Sequence, residues 1–472
     1  MYSRFRQPLA NCCAAALALG LAACSVGPDY VRPTTANPEA FKEAGQWQAA
    51  STAEPQADEK WWRFFGDPVL DGLEEQVAVD NQNLKAAEAQ YRAARAALEG
   101  ARSGFFPTLT GAAARTRGTA TTGTVTSSAE TMYSISAALN WEIDVWGRIR
   151  RSVESAGASA AASAGDLAAA RLSTQATLAQ TYMQLRAAEA QLALYRKTVA
   201  DYGRFLELTR HRLAAGVASP LDVAQAETQL GSAEVQAADA ENLRAQLEHA
   251  TAVLVGKAPA EFSLPAGSGL PAVPAAPRLV PSTLLENRPD IAAAERRAAA
   301  ANAQIGVAKA AWFPVLDLTG NIGYRNNALA GLISAPNRVW SFGPTLAMTL
   351  LDFGARSAAV EQAGAGYDQA VANYRQTVLT AFQEVEDNLS AARLLEVEDA
   401  AQARSLAAAR RSREIAENQY KAGVNSALNV VTAQTAELGA EANSISIASR
   451  RLQAAVQLLK NAGGRVAVIE PR

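Results

Sequence analysis

The chain has few residues that could carry out covalent or metal chemistry. Its two histidines, His211 and His249, stand alone, and no cluster of His, Cys and Asp occurs at ligand spacing. All three cysteines, Cys12, Cys13 and Cys24, lie in the first 24 residues, so the remaining chain has no thiol and no disulfide. We find no nucleophile–base pair and no phosphate-binding loop. The net charge of -2 also gives no basis for binding nucleic acid. The sequence therefore predicts no enzyme, no catalytic residue, no metal and no cofactor.

Cys24 is the one residue with a predicted modification. A positively charged start precedes a short apolar stretch, 14–22, that is too brief to span a bilayer. It ends in Leu21–Cys24, which resembles a bacterial lipobox. This resemblance implies that a signal peptide, 1–23, is removed, and that Cys24 carries S-diacylglycerol and N-palmitoyl lipid. The resemblance further implies that Ser25, standing where Asp would retain the protein at the inner membrane, directs it to the outer membrane. An ordinary signal peptide with an incidental cysteine remains the alternative.

Two segments 207 residues apart organise the rest of the chain: 216–222 and 423–429. Glycine at a helix end accepts the left-handed conformation, and Ser219 followed by Pro220 is a typical helix start. Long proline-free sequence flanks both segments. We therefore predict that each forms the tip of a long antiparallel helical hairpin. The equivalent positions are Gly216 and Gly423, Val217 and Val424, Ser219 and Ser426, and Leu221 and Leu428.

The helices before the tips are expected to be unusually long. From about 148 to 215 the apolar residues recur at spacings of three, four and seven, which is typical of supercoiled helices. At 1.5 Å per residue, such a helix approaches about 100 Å.

Four segments alternate between apolar and polar residues and are predicted to be strands. They are residues 105–117, 131–146, 315–325 and 339–352. The same alternation would suit a soluble sandwich. In a membrane, however, about 9–11 tilted residues suffice to cross the bilayer. An open four-stranded sheet leaves backbone groups unpaired there, so the chain would have to oligomerise into a closed barrel.

A constant offset of 207 between matching landmarks indicates an internal duplication. The predicted organisation is a signal peptide at 1–23, an acylated arm at 24–60, a first repeat at 61–260, a proline-rich equatorial linker at 261–281, a second repeat at 282–464 and a tail at 465–472.

Distinctive motifs are spread along the chain. They are Cys24–Pro33, Trp61-Trp62 with Phe65–Pro68, Trp141–Arg148, Arg288–Ile291 and the two tips. Together these motifs resemble the outer-membrane factors of tripartite efflux pumps of the RND type, in the OprM/NodT lipoprotein branch of the TolC-like outer membrane efflux proteins. The resemblance covers essentially the whole chain.

The resemblance implies a mainly α fold with a transmembrane β part. Three chains would form a homotrimer with a 12-stranded β-barrel in the outer membrane and an α-barrel of helical hairpins in the periplasm. It would act as a passive exit duct for drugs and toxic small molecules, contact outer-membrane lipid and bind no nucleic acid. It would open when a periplasmic adaptor and an inner-membrane RND transporter dock.

The resemblance also suggests functional residues. The tips would receive the adaptor through Gly216, Val217, Ser219, Gly423, Val424 and Ser426. Leu428 lies where relatives narrow the closed tunnel, and Thr432 replaces an aspartate that usually forms a further constriction. We therefore expect a periplasmic gate at Leu428 and Thr432, without an acidic ring.

Three other functions fit parts of the sequence. Within transport, the duct would serve metal-ion efflux or type I secretion. In a different class, the chain would be a lipid-anchored periplasmic coiled-coil scaffold with no pore. Ion conductance in bilayers separates a duct from the scaffold.

Overall fold

A computed structural model describes residues 25–35, 41–44, 60–119, 121–122, 125–126, 129–267, 269–273 and 288–464. Cys24 and the signal peptide lie outside the described residues, as do most of the N-terminal arm, part of the linker and the tail. The α-helices in the described chain are α1 (Pro68–Asp80), α2 (Gln82–Ser103), α3 (Arg148–Ala214), α4 (Pro220–Leu254), α5 (Pro289–Ala310), α6 (Ala355–Lys421) and α7 (Ala427–Asn461).

The two helical hairpins have matching dimensions. Helices α3 and α6 each contain 67 residues, and their return helices α4 and α7 each contain 35. Each pair begins at positions 207 residues apart, at Arg148 and Ala355 and then at Pro220 and Ala427. The predicted long hairpins are therefore confirmed.

Four strands form one antiparallel sheet, in the order β1-β4-β5-β6. The strands are β1 (Thr108–Gly118), β4 (Glu130–Glu142), β5 (Val315–Asn326) and β6 (Arg338–Ala347), with a two-residue pair, β2 (Thr121–Thr122) and β3 (Val125–Thr126), in the first loop. The predicted fold of long hairpins with four strands per chain is confirmed.

Two strands end earlier than the sequence alternation suggested, at Glu142 and at Ala347. An acidic side chain beyond each strand serves the following helix instead. Asp144 accepts hydrogen bonds from the backbone N–H groups of Ile149 and Arg150, at 3.0 and 2.8 Å. Asp352 does the same at the start of α6. Capping the helix turns the chain out of the sheet.

The sheet has one apolar and one polar face, as the alternation predicted. Strand register places the large apolar side chains together on one face: Leu109, Ile135, Leu139, Leu318, Ile322, Trp340, Phe342 and Leu346. The opposite face carries Thr108, Thr110, Ser134, Ser136, Asn140, Thr319, Asn321, Ser341 and Thr345. In the described part of the chain, no helix is long and apolar enough to cross a membrane.

The described residues divide into two compact units. One contains the sheet, the N-terminal segment 25–34 and the helix residues next to the sheet. The other contains both tips and a core in which Trp61 and Trp62 are buried against Tyr182. The Tyr182 hydroxyl donates a 2.6 Å hydrogen bond to Asp67, which also caps α1. The tryptophan pair is thus a core anchor.

Candidate functional site

The first tip is a tightly hydrogen-bonded turn. Gly216 has a φ of 75°, and the N–H of Val217 donates to the carbonyl of Arg212 at 2.9 Å, which ends α3. Ser219 and Asp222 then form a reciprocal capping box at the start of α4, which confirms the predicted N-cap. The side chain of Val217 is left 66% exposed. The turn therefore presents an apolar side chain on a rigid backbone.

The second tip has the same backbone but different capping. Gly423 has a φ of 77°, and the N–H of Val424 donates to the carbonyl of Gln419 at 3.0 Å. Ser426 occupies the N-cap position of α7, but its side chain makes no cap hydrogen bond. The carboxamide oxygen of Asn425 accepts from the Ser426 N–H instead, at 3.0 Å. This turn thus carries no acidic cap, and Val424 is 80% exposed.

A buried cluster connects the two hairpins next to their tips. Phe205 and Leu206 of α3 pack with Tyr420 of α6 and Val430 and Val431 of α7. Because all the helices that form the tips contribute to this cluster, the two turns are held on a common base. Large relative motion of the tips within one chain would have to disrupt it.

Arg212 makes a direct link between the hairpins that sequence reasoning missed. Its guanidinium donates to the backbone carbonyl of Tyr420 at 2.7 Å and lies 4.4 Å from the centre of the Tyr420 ring. Arg210, two residues earlier, instead pairs with Glu227 of its own hairpin at 2.7 Å, and both side chains are at least half exposed. A contact between distant segments has no local sequence signal.

Leu428 and Thr432, the predicted gate residues, lie on the exposed face of α7. Leu428 is 52% exposed, whereas its neighbours Val430 and Val431 are buried. The Thr432 hydroxyl donates to the Leu428 carbonyl at 2.8 Å, one helical turn away. The Leu428 and Thr432 side chains therefore lie one turn apart on the same exposed face of α7.

The arginines at the start of α3 are occupied within the protein. Arg148 pairs with Glu142, and Arg150 pairs with Asp144 at 3.4 Å. Arg151 is buried, and its guanidinium donates to Asp29 at 2.9 Å and to Glu154 at 2.8 Å. It also donates to the carbonyls of Val26 and Gly27 and to the Ser25 hydroxyl. Arg151 thus holds the segment that follows Cys24.

Comparison with known proteins gives one consistent family. The model of the outer membrane efflux protein family matches residues 73–257 and 280–464. The chain is 32% identical over 450 residues to the probable efflux pump outer membrane protein TtgC of Pseudomonas putida, covering 94% of this chain and 93% of that protein. It is 33% identical over 476 residues to the outer membrane protein OprJ of Pseudomonas aeruginosa, covering 97% and 96%.

Solved structures show the same fold. The outer-membrane channel OprN superposes with a TM-score of 0.86 at 30% identity, over 93% of this chain and 99% of that chain. The open state of the outer membrane channel MtrE of Neisseria gonorrhoeae superposes with a TM-score of 0.80 at 28% identity, over 93% and 98%. Within the described residues, no group of three or more His, Cys, Asp or Glu side chains is placed to hold a metal ion.

Proposed function

The chain belongs to the outer membrane efflux protein family, and on that premise we propose that it works as a homotrimeric exit duct for drugs and toxic small molecules. As a member of this family, it is a non-enzymatic outer-membrane component of an efflux pump. The proposed finer points are its trimeric assembly, its adaptor-docking tips, its gate, its lipid anchor and an RND transporter as the inner-membrane partner.

The observation that best supports a duct is the sheet, which has one apolar face, one polar face and two open edges. Its apolar face suits lipid and its polar face suits a water-filled bore. Four strands leave two edges that lipid cannot hydrogen-bond, so several copies must join to close the sheet. Three copies supply 12 strands, which is above the smallest bacterial barrels of about 8.

The function is tested by complementing a deletion strain and measuring drug susceptibility and dye retention. Wild-type chain is expected to restore efflux and to give purified particles that conduct ions in planar bilayers. Restored outer-membrane localisation without efflux or conductance would leave the poreless scaffold in its place.

The tips are the proposed adaptor-docking surface. Val217 and Val424 are exposed on turns whose glycines and caps fix the backbone. Apolar side chains on a rigid backbone lose little entropy on binding a partner helix. The surface comprises Gly216, Val217, Ser219, Gly423, Val424 and Ser426.

Replacing both valines by aspartate, Val217→Asp with Val424→Asp, is expected to abolish co-purification with the adaptor and return susceptibility to the deletion level. Val235→Asp on α4 is the matched control, because Val235 is also 60% exposed but lies away from the turn. Equal loss in the control would contradict docking at the tips.

Leu428 and Thr432 are the proposed periplasmic gate. In a trimer, one copy of each per chain gives an apolar ring and a ring of hydroxyls one turn apart. Leu428→Ala is expected to raise basal conductance. Thr432→Asp is expected to shift conduction towards cations, because three carboxylates attract them. Unchanged conductance and selectivity in both variants would place the constriction elsewhere.

Cys24 is the proposed site of S-diacylglycerol and N-palmitoyl attachment, with no other cofactor. The residues that follow Cys24 support an anchor at this position, because they are held beside the sheet. Arg151 donates to Asp29, and the Val26 N–H donates to the Trp146 carbonyl at 3.1 Å. Intact mass of the mature chain tests this, and Cys24→Ser is expected to remove the added lipid mass. An unmodified Cys24 in wild-type protein would contradict the assignment.

A further inference from the structure

The edge strands β1 and β6 of the sheet have backbone groups without a strand partner in the described residues. The N–H of Ile143 donates to the carbonyl of Leu316 at 2.8 Å, so odd-numbered β4 residues face β5. The N–H and C=O groups of successive residues point to opposite sides of a strand. Even-numbered β4 residues therefore face even-numbered β1 residues, and odd-numbered β5 residues face odd-numbered β6 residues. This leaves the backbone groups of odd-numbered β1 residues and of even-numbered β6 residues on the free edges, and a partner strand must hydrogen-bond to these residues.

The internal repeat preserves strand register residue for residue. In the first hairpin Thr108 lies opposite Asn140, and in the second Val315 lies opposite Ala347. Both members of the second pair stand 207 residues after their counterparts, which is the offset of the two glycine turns. The two hairpins are therefore equivalent in pairing as well as in sequence, and the register at their junction can be carried over.

We infer that β6 of one chain pairs with β1 of the next in the register that β4 and β5 adopt within a chain. Within one chain, Ala138 lies opposite Asn321. Moving each residue by one repeat places Thr345 opposite Ala114 of the next protomer. This inference rests on the proposed trimer but goes further, because it specifies the residues of the seam. The neighbouring pairs would be Gly343 with Thr116 and Ala347 with Ala112.

The register satisfies two constraints from the single chain. It joins even-numbered β6 residues to odd-numbered β1 residues by backbone hydrogen bonds, as the free edges require. It also keeps Trp340, Phe342 and Leu346 on the same face as Leu109, so the apolar belt continues across the seam. Slippage by one residue would reverse that face.

Glycine positions support the same register. Gly323 lies opposite Ser136, and a Cβ at Gly323 would come within 2.4 Å of the Ile135 carbonyl oxygen. The corresponding seam pair is Gly343 with Thr116, so one member of the pair is again glycine although it has moved to the other strand. Pro344 would lie opposite Arg115 in the seam and has no N–H, so this pair would keep only the hydrogen bond that the Arg115 N–H donates to the Pro344 carbonyl.

An aromatic stack within the chain has a pair of exposed aromatic counterparts at the same seam. Trp146 stacks on Phe313 within the chain, with ring centres 4.8 Å apart. Their counterparts one repeat away are Phe353 and Phe106, which are 93% and 69% exposed. Phe353 also has a φ of 51°, so its exposed ring sits on a strained backbone. The repeat therefore places Phe353 against Phe106 of the next protomer.

Disulfide crosslinking between two cysteine variants tests the register in the full-length trimer. Thr345→Cys combined with Ala114→Cys creates a pair that is directly opposite and not hydrogen-bonded, where Cβ atoms come close enough for a disulfide. Shifted pairs, Thr345→Cys with Ala112→Cys or with Thr116→Cys, are diagonal neighbours, and such residues lie about 7–8 Å apart. The first pair is expected to give reducible dimers and trimers at least ten times faster.

Controls and outcomes separate this inference from the proposed function. Each single cysteine variant must give no crosslink, which excludes reaction through Cys24. Faster crosslinking of a shifted pair would overturn the register. Absence of crosslinks in all three pairs, with a trimer by native mass spectrometry, would overturn the β6–β1 seam but leave a trimeric duct. A monomer in native mass spectrometry would contradict both.

Alanine variants test the aromatic contact. Phe353→Ala and Phe106→Ala are each expected to lower the temperature at which the trimer dissociates, and the double variant to lower it less than the sum. Leu329→Ala, 68% exposed in the β5–β6 loop, is the control and is expected to leave it unchanged. Additive effects, or no effect, would overturn the aromatic contact.

Discussion

Helices α2 and α5 of the two repeats begin at equivalent positions but with different chemistry. In the first repeat Asn81 is buried and neutral, accepting from the Leu84 N–H at 3.0 Å and donating to the Leu254 carbonyl at 2.7 Å. In the second repeat the residue 207 positions later is Arg288. Arg288 binds Asp290 and reaches Glu384 of α6 at 2.8 Å. The repeat thus preserves the helix start while exchanging a neutral cap for an ion-pair network.

The strand-to-helix junctions differ in a similar way. Arg151 of the first junction is buried and binds the N-terminal segment, whereas its counterpart in the second is Ala358. Trp146 stacks within the chain, but Phe353 is exposed. The comparison teaches that duplication copies the strand register and the helix starts, while side chains diverge wherever one copy has a partner that the other lacks.

The largest effect on this comparison is expected from Arg288→Met. Removing one partner of a buried ion pair strongly lowers the free energy of unfolding. Because the Asp290 and Glu384 side chains are each 37% exposed, solvent screens this effect, and we expect the variant to lose about 2 kcal/mol of unfolding free energy. Thermal unfolding in detergent measures it. Asn81→Ala, which removes the neutral counterpart, is expected to cost about 1 kcal/mol. Equal losses would mean that the charges add nothing.

A smaller effect is expected from Arg151→Met. Removing its hydrogen bonds to the N-terminal segment should lower the free energy of unfolding by about 1–2 kcal/mol. Proteolysis should then cleave residues 25–35 faster, because the segment loses its anchor. Arg148→Met is the matched control on the same helical turn, since the Arg148 side chain is 43% exposed. Unchanged cleavage of the Arg151 variant would show that the segment is held by other contacts.

At the tips, Ser219→Ala is expected to destabilise the first turn by about 1 kcal/mol, because it removes an N-cap hydrogen bond. Ser426→Ala is expected to have little effect, because the Ser426 side chain makes no cap hydrogen bond. Hydrogen exchange of the first-turn amides of α4 and α7 measures both. Equal acceleration at the two turns would contradict the difference in capping.

The smallest effect, a change in pH dependence, is expected from Asp290→Asn. Burial alone would raise the pKa of Asp290, but hydrogen bonding to Arg288 and its charge outweigh burial and lower it. A lowered folded-state pKa contributes stability that is present above the unfolded pKa and lost as pH falls through the folded value. The variant should therefore lose less stability than wild type on acidification. An identical acid limb in thermal unfolding would contradict this.

Prediction from sequence succeeded where the signal was local or periodic. The helical hairpins, the four strands and the two faces of the sheet follow from spacing. So does the N-cap at Ser219. The early end of β4 at Glu142 was missed, because alternation continues to Trp146 and does not show that Asp144 is used as a helix cap. The role of Arg151 was also missed, since a basic residue beside a predicted membrane strand looks solvated or lipid-facing in sequence.

By itself, the sequence determined the duplicated plan, the membrane-compatible strands and the absence of thiols after Cys24, because these depend on residue order and composition alone. Tertiary structure alone decided that Arg212 bridges to Tyr420 and that Arg151 holds the residues after Cys24. It also decided that Trp146 has a partner where Phe353 has an exposed ring. These contacts join residues from about 120 to over 200 positions apart, and such pairing depends on how the chain packs, which no local pattern encodes.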